Sequence, residues 1–388
     1  YLTGFPEPEA VAVLSPHGSA PFTLFVRPRD PEREVWTGER IGVERAGELF
    51  GADEVFPIDE LEDHLSELLK PASRIYYPIG SGDALEDHII QTVIAARRTR
   101  ARSGQGPSGI EDLDALLSPL RLIKDADELS RMRVAADIGV AGHLAAMRRA
   151  RPGVGEWELR AALEAEFIGA GGRVSFPSIV ASGHNATVLH YEENRCRMGS
   201  DDLVLIDAGA EWGGYSSDIS RTFPVSGRFT RAQRDLYDVV LAAEEAAIVE
   251  VRPGALFTTV HEAAVRILAQ GMLDLGLLPA GDLDGVIERG EYRQFYLHQT
   301  SHWLGLDVHD AGPYQQNGAP ITLVPGMVLT IEPGLYIPAD EEDVPERFRG
   351  IGIRIEDDVA VTEDGGELLT RGVPVDPEKV EEIIRGGE

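Results

Sequence analysis

The tripeptide Arg-Pro-Gly occurs twice, as Arg151-Pro152-Gly153 and Arg252-Pro253-Gly254. Each copy separates two stretches whose apolar residues recur at helical spacing. In the first, these stretches are about Asp127 to Arg149 and Glu156 to Ala170. In the second, a Thr230–Gln233 capping box opens a helix to about Val251, and another runs from about Thr258 to Gly276. Proline cannot continue a helix and glycine readily ends one, so each copy reads as helix, break, helix. Two such units imply a duplicated domain with pseudo-twofold symmetry. A chain of 388 residues has room for that domain and a smaller one before it.

The smaller domain is read from residues 1 to about 120. Val11–Leu14, Phe22–Val26 and Ile75–Tyr77 read as strands, and Leu61–Leu69 and Leu85–Arg97 as amphipathic helices. Their alternation predicts an α/β fold. The run RTRARSGQGPSG, Arg98 to Gly109, reads as an exposed connector. The opening YLTGFPEPEAVAVL reads as the interior of a domain, so further residues are expected upstream of Tyr1.

The chemistry concentrates in four stretches. LVLIDAGAEWGGYSSDISRTFPV, Leu203 to Val225, reads as a hairpin turning at Gly213-Gly214, with Asp207 ending a buried apolar run and Asp218 on the returning strand. A carboxylate at the end of a buried strand is costly unless something pairs with it. Two of them on adjacent strands repel unless a cation lies between. HQTSHWLGLDVHDAG brings His298, His302 and His309 within twelve positions. MVLTIEPGLYI places Glu332, and GIGIRIEDDVAVTEDG places Glu356, at the edges of two more apolar runs. Asp207, Asp218, Glu332, Glu356 and one histidine form an oxygen-rich donor set. That set suits manganese or a similar divalent ion better than a structural zinc site, which would use cysteines. Four carboxylates are too many for one ion and suit two.

Composition removes other classes. The formal net charge of −30 argues against nucleic acid and anionic membranes as partners. No run of eighteen apolar residues occurs, and no signal peptide is visible. The single cysteine, Cys196, excludes an intramolecular disulfide and fits a reducing, cytoplasmic setting. It lacks an obvious paired base, so a bystander thiol is expected there.

These motifs together resemble the aminopeptidase P family of "pita-bread" metallopeptidases, related to prolidase, methionine aminopeptidase and creatinase. The resemblance runs through YLTGF at Tyr1, VLHYEEN at Val188, IDAGAEWGGYSSDISRTFPVSG at Ile206, SHWLGLDVHD at Ser301, TIEPGLYI at Thr330 and GIRIEDDV at Gly352. It implies an N-terminal α/β creatinase-like domain over 1–121, incomplete at its start. It also implies an α+β pita-bread catalytic domain, duplicated and pseudo-twofold, over 122–388. In the family's pattern Asp207 is a bidentate ligand of one metal, Asp218 and Glu356 bridge, and His302 and Glu332 hold the other metal. Glu332 also shuttles the proton, while His190, His298 and His309 contact substrate and intermediate, and Arg354 lies near the substrate pocket. Two departures, Gln299 for a usual glycine and Ile219-Ser220 for a Thr-rich segment, touch no ligand.

The resemblance implies cleavage of the bond between an N-terminal residue and a following proline in peptides. A hydroxide bridging two divalent ions, manganese first with zinc or cobalt as alternatives, would attack the carbonyl. A homo-oligomer, dimer or tetramer, is expected. Prolidase, acting on Xaa-Pro dipeptides with the same ligands, is the alternative. A catalytically inactive binding module on the same fold is disfavoured, because all five ligand candidates are present.

Overall fold

The computed structural model describes residues 1–80, 82 and 84–386. The chain forms two compact units, Tyr1–Leu116 and Leu117–Glu388. In the first, β1 (Val11–Leu14) pairs antiparallel with β2 (Phe22–Val26). Two short helices follow, α1 (Pro31–Thr37) and α2 (Gly42–Phe50). Then β3 (Glu54–Pro57) joins β2 in parallel. The central strand β2 is apolar apart from the buried Thr23, as suits a strand covered on both faces. Phe25 packs with Leu61, Leu65 and Leu69 of α3 (Leu61–Leu69), while Leu24 and Val26 pack against Ala46 of α2. The next elements are β4 (Ile75–Tyr76), α4 (Ala84–Ser103) and β5 (Ile110–Glu111), with β4 and β5 parallel. α5 (Asp114–Leu122) leads out of this unit.

The connector expected at Arg98–Gly109 is shorter than its sequence suggests. α4 continues through those arginines and ends where Gly104, at φ 70°, donates to Arg100 O at 2.8 Å. Arginine is a good helix former, so a polar stretch need not be a loop. The helices α1 and α2 were not anticipated.

The second unit carries the duplication. α6 (Ala126–Arg149) and α7 (Glu156–Gly169) form the first helix pair. After them come β6 (Arg173–Val174), β7 (Ile179–Ser182), β8 (Leu203–Ala208), β9 (Ala210–Trp212), β10 (Tyr215–Ser216) and β11 (Ile219–Pro224). α8 (Arg231–Glu250) and α9 (Phe257–Leu275) form the second pair, and α10 (Leu283–Arg289) follows. The rest is β12 (Gln315–Gln316), β13 (Ala319–Pro320), β14 (Val328–Ile331), β15 (Gly334–Ile337), β16 (Ile351–Arg354), β17 (Asp357–Thr362), β18 (Gly365–Leu368) and α11 (Pro377–Ile384). Thr230 caps α8 as expected, with Gln233 closing the reciprocal box.

The two breaks share one backbone geometry. Gly153 and Gly254 sit at φ 85° and 86°, a region glycine enters without steric cost. Gly153 N donates to Met198 O at 2.8 Å, and Gly254 N to Leu323 O at 2.9 Å. Glu156 N donates to Cys196 O at 2.9 Å, and Phe257 N to Ile321 O at 2.9 Å. The duplication read from the sequence is therefore present down to individual hydrogen bonds.

The hairpin expected over Leu203–Val225 is present but broken in two. β8 pairs with β11, while β9 and β10 form the tip around Gly213-Gly214. The bend falls at Gly209, where a Cβ would lie 1.7 Å from Ser217 O. The two halves meet where Glu356 N donates to Ser220 O at 3.0 Å. Among the described residues no helix is long and apolar enough to cross a membrane.

Candidate metal centre

A cavity of about 780 Å³ opens in the second unit, and His190, Asp207, Asp218, His298, His302, His309, Glu332, Arg354 and Glu356 all line it. Every site residue expected from the sequence is thus brought to one place. Asp207 lies near the end of β8, and Asp218 stands at the start of β11, which pairs with it. Glu332 follows β14 and Glu356 follows β16. The segment carrying His302 runs beside β14: His302 N donates to Thr330 Oγ1 at 3.2 Å, and Thr330 N to His302 O at 3.0 Å. Four strand ends therefore deliver the four carboxylates, and the segment beside β14 delivers the imidazole.

Ligand atoms of Asp218, His302 and Glu356 lie within 4.8 Å of one another. His302 Nε2 is 3.5 Å from Asp218 Oδ2 and 3.7 Å from Glu332 Oε1. Its other nitrogen, Nδ1, is 3.0 Å from Trp303 O. A carbonyl only accepts, so Nδ1 donates there, and Nε2 is the nitrogen turned toward the carboxylates. Among the described residues Asp207 Oδ1 and Asp218 Oδ1 are buried without a hydrogen-bond partner. Acceptors turned toward acceptors fit a cation held between them, and these donors fit hard or borderline divalent ions.

The electrostatics agree. Burial lifts Asp218 and Glu356 well above the ordinary carboxylate range, and the surrounding carboxylates add to it. Burial pushes Glu332 up to about 7, with His302 and Arg354 pulling the other way. Burial, then the Arg354 charge, holds His298 down at about 4. Burial also lowers His309, and the nearby His302 and His190 rings reinforce it. The His302 and His309 rings meet edge to face, with centroids 4.4 Å apart.

Arg354 is committed on all three nitrogens. Nη2 donates to Asp207 Oδ2 at 2.5 Å, Nη1 to Tyr336 Oη at 2.9 Å and Nε to Ser220 Oγ at 2.8 Å. Ser220 Oγ donates onward to Glu356 Oε2 at 2.7 Å, and Tyr336 Oη lies 2.8 Å from His298 Nε2. The expectation that Ile219-Ser220 touches no ligand is corrected here, because the Ser220 hydroxyl bonds the ligand candidate Glu356 directly; Tyr336 was not singled out. Tyr336 stood inside the quoted TIEPGLYI stretch, and its phenol was the available signal.

The metallopeptidase family M24 matches residues 130–363, and the aminopeptidase P N-terminal domain matches residues 1–76. The chain belongs to metallopeptidase family M24. Among its M24 relatives is the Xaa-Pro aminopeptidase of Escherichia coli, 44% identical over 390 residues, 99% of this chain and 87% of that one. The structure of Pseudomonas aeruginosa aminopeptidase PepP matches with a TM-score of 0.95 at 44% identity, covering 99% of this chain and 87% of that chain. Zinc-substituted Escherichia coli aminopeptidase P in complex with product matches with a TM-score of 0.93 at 43% identity, covering 100% and 88%. The expected architecture, an aminopeptidase P-type N-terminal domain before a pita-bread M24 domain, is therefore the fold of this chain.

Proposed function

We propose that the protein is an Xaa-Pro aminopeptidase that releases the first residue of peptides with proline second, using two divalent ions, manganese foremost. The observation that carries this is the convergence of His302 Nε2 on Asp218 and Glu332, with Nδ1 fixed on Trp303 O, beside oxygens of Asp207 and Asp218 that have no hydrogen-bond partner among the described residues. Asp207 would hold one ion, His302 and Glu332 the other, with Asp218 and Glu356 shared. When bound, the ions supply Lewis-acid polarisation of the substrate carbonyl and a more acidic water.

The chain's own groups do the rest. Glu332 lines the cavity beside the other ligands, where its carboxylate can take the proton of the attacking water and hand it to the proline nitrogen. That nitrogen carries no hydrogen in the peptide and must gain one to leave. His309 and His190 line the same cavity and can donate toward the developing oxyanion. His298 is held by Tyr336 on one nitrogen and by Gln299 O, 2.8 Å away, on the other. The prolidase alternative needs a cation free to clasp a dipeptide carboxylate. Arg354, the candidate for that task, is buried and fully engaged, which supports the aminopeptidase reading.

The test offers manganese-loaded protein both Arg-Pro-Pro and Xaa-Pro dipeptides and measures the released products. The tripeptide is expected to be cut faster. A tenfold preference for dipeptides, about 1.4 kcal/mol in transition-state binding, would make the protein a prolidase. A dimer or tetramer is proposed as the assembly, to be measured by light scattering. A cytoplasmic location is proposed from the lone Cys196.

A further inference from the structure

Glu156 is the first residue of α7 and is fully buried, yet no cationic side chain pairs with it among the described residues. Five donors converge on its carboxylate. Oε1 accepts from Ser182 N at 2.8 Å, Ser182 Oγ at 2.6 Å and Asn185 Nδ2 at 3.1 Å. Oε2 accepts from Tyr191 Oη at 3.0 Å and Cys196 N at 2.7 Å. These donors sit at the start, the middle and the end of one arm, residues 182–196. The same arm supplies Leu189, His190 and Glu192 to the cavity wall. Tyr191 is buried against Glu156, while its neighbour His190 is exposed and lines the cavity.

The second half of the domain shows what this carboxylate is not for. Phe257 occupies the equivalent position, and its backbone makes the same bond to the returning strand, 2.9 Å in both halves. Met198 N donates to Val154 O at 3.0 Å, and Leu323 N to Ala255 O at 2.8 Å. The helix break therefore forms with or without an acid at this place. Burying a carboxylate is costly unless its acceptor sites are filled. Here they are filled by groups of the arm alone. We propose that Glu156 is a positioning residue for His190: its buried carboxylate gathers the 182–196 arm and sets the height of the imidazole over the metal centre. This rests on the reading above that places His190 in the peptidase site.

Two measurements on the metal-loaded protein test it. In Glu156→Gln one acceptor oxygen becomes an NH₂ group that faces donors. Hydrogen exchange is expected to quicken in peptides spanning 182–198 and not in β14 or β17. The kcat/KM for Arg-Pro-Pro is expected to fall at least tenfold at unchanged metal content. Placed in a His190→Ala background, the same substitution is expected to cost less than threefold. A positioning residue has nothing left to position there, whereas a merely structural one costs the same in both backgrounds. Unchanged exchange over 182–198 overturns the proposal, and so does an equal loss in both backgrounds. If Glu156→Gln does not fold, Tyr191→Phe removes one donor while leaving the carboxylate, and the same two readings apply. If His190→Ala alone leaves turnover unchanged, the role given to His190 fails, and exchange alone then judges the anchor.

Discussion

At the scale of single residues the site is a set of acceptors that need orienting. Ser220 does this for two of them at once, donating to Glu356 and accepting from Arg354. Partners of this kind typically affect metal affinity or activity by about 10–100-fold. Ser220→Ala is expected to weaken metal binding about tenfold in calorimetric titration with little loss of fold, while Ser220→Thr, which restores a hydroxyl, recovers it. Glu332→Gln keeps the shape of the side chain but cannot carry a proton. It is expected to lower kcat at least 100-fold while the protein still takes up metal, the scale of a lost general base. The four acids were legible in the sequence because each lies beside a buried apolar run or the strand paired with one, whereas the choice of His302 among three clustered histidines came from the family resemblance. Ser220, Tyr336 and Glu156 were not legible. Ser220 and Glu356 are 136 positions apart, and a lone hydroxyl carries no local pattern to betray so distant a partner.

At the scale of elements, legibility followed the strength of local signals. β1, β2 and α3 match their expected ranges, and α6 to α9 begin and end within a residue or so of expectation. Their caps explain this: Asp125 and Thr230 both close capping boxes, and Gly276 ends α9 in the left-handed region. α1 is short with little periodicity, although Asp30-Pro31 is a legitimate helix start, whereas Val43, Ala46, Leu49 and Phe50 of α2 recur at helical spacing and were a signal the reading passed over. Close backbone approach was equally invisible. Gly352 on β16 has room for no side chain, because a Cβ would lie 1.9 Å from Ala186 O in the turn that opens the His190 arm. Gly352→Ala must push the strand and the turn apart, an overpacking cost of about 1–3 kcal/mol. The thermal midpoint is expected to drop by several degrees, and turnover to fall with it because Arg354 lies two residues on. A variant as stable as the parent would show that the turn can move away freely.

At the scale of the whole molecule, the four strand ends store like charge that metal relieves. Glu332 is raised to about 7 in the folded protein against about 4.5 when unfolded, and Asp218 and Glu356 are raised too. Groups whose folded pKa is raised contribute stability that is full below the unfolded value and is lost as pH rises through the folded one. Metal-free protein is therefore expected to lose stability as pH climbs from about 4.5 to about 7. Metal-loaded protein, with these carboxylates already ionised, is not. The gain in melting temperature on adding manganese should grow across that window, and uptake at pH 6 should release protons measurable by titration. A gain independent of pH would mean that the carboxylates are already ionised without metal. The duplication has one further consequence. A frame built twice has no sense of direction, whereas a peptide runs one way, from amine to carboxylate. Where the two copies differ in side chain on a shared backbone, a carboxylate gathers the His190 arm on one side and Phe257 packs at a tilt against Trp303 and Tyr314 on the other. A twofold scaffold can read a one-way chain only through differences of this kind, so a change of reading direction would have to begin at them.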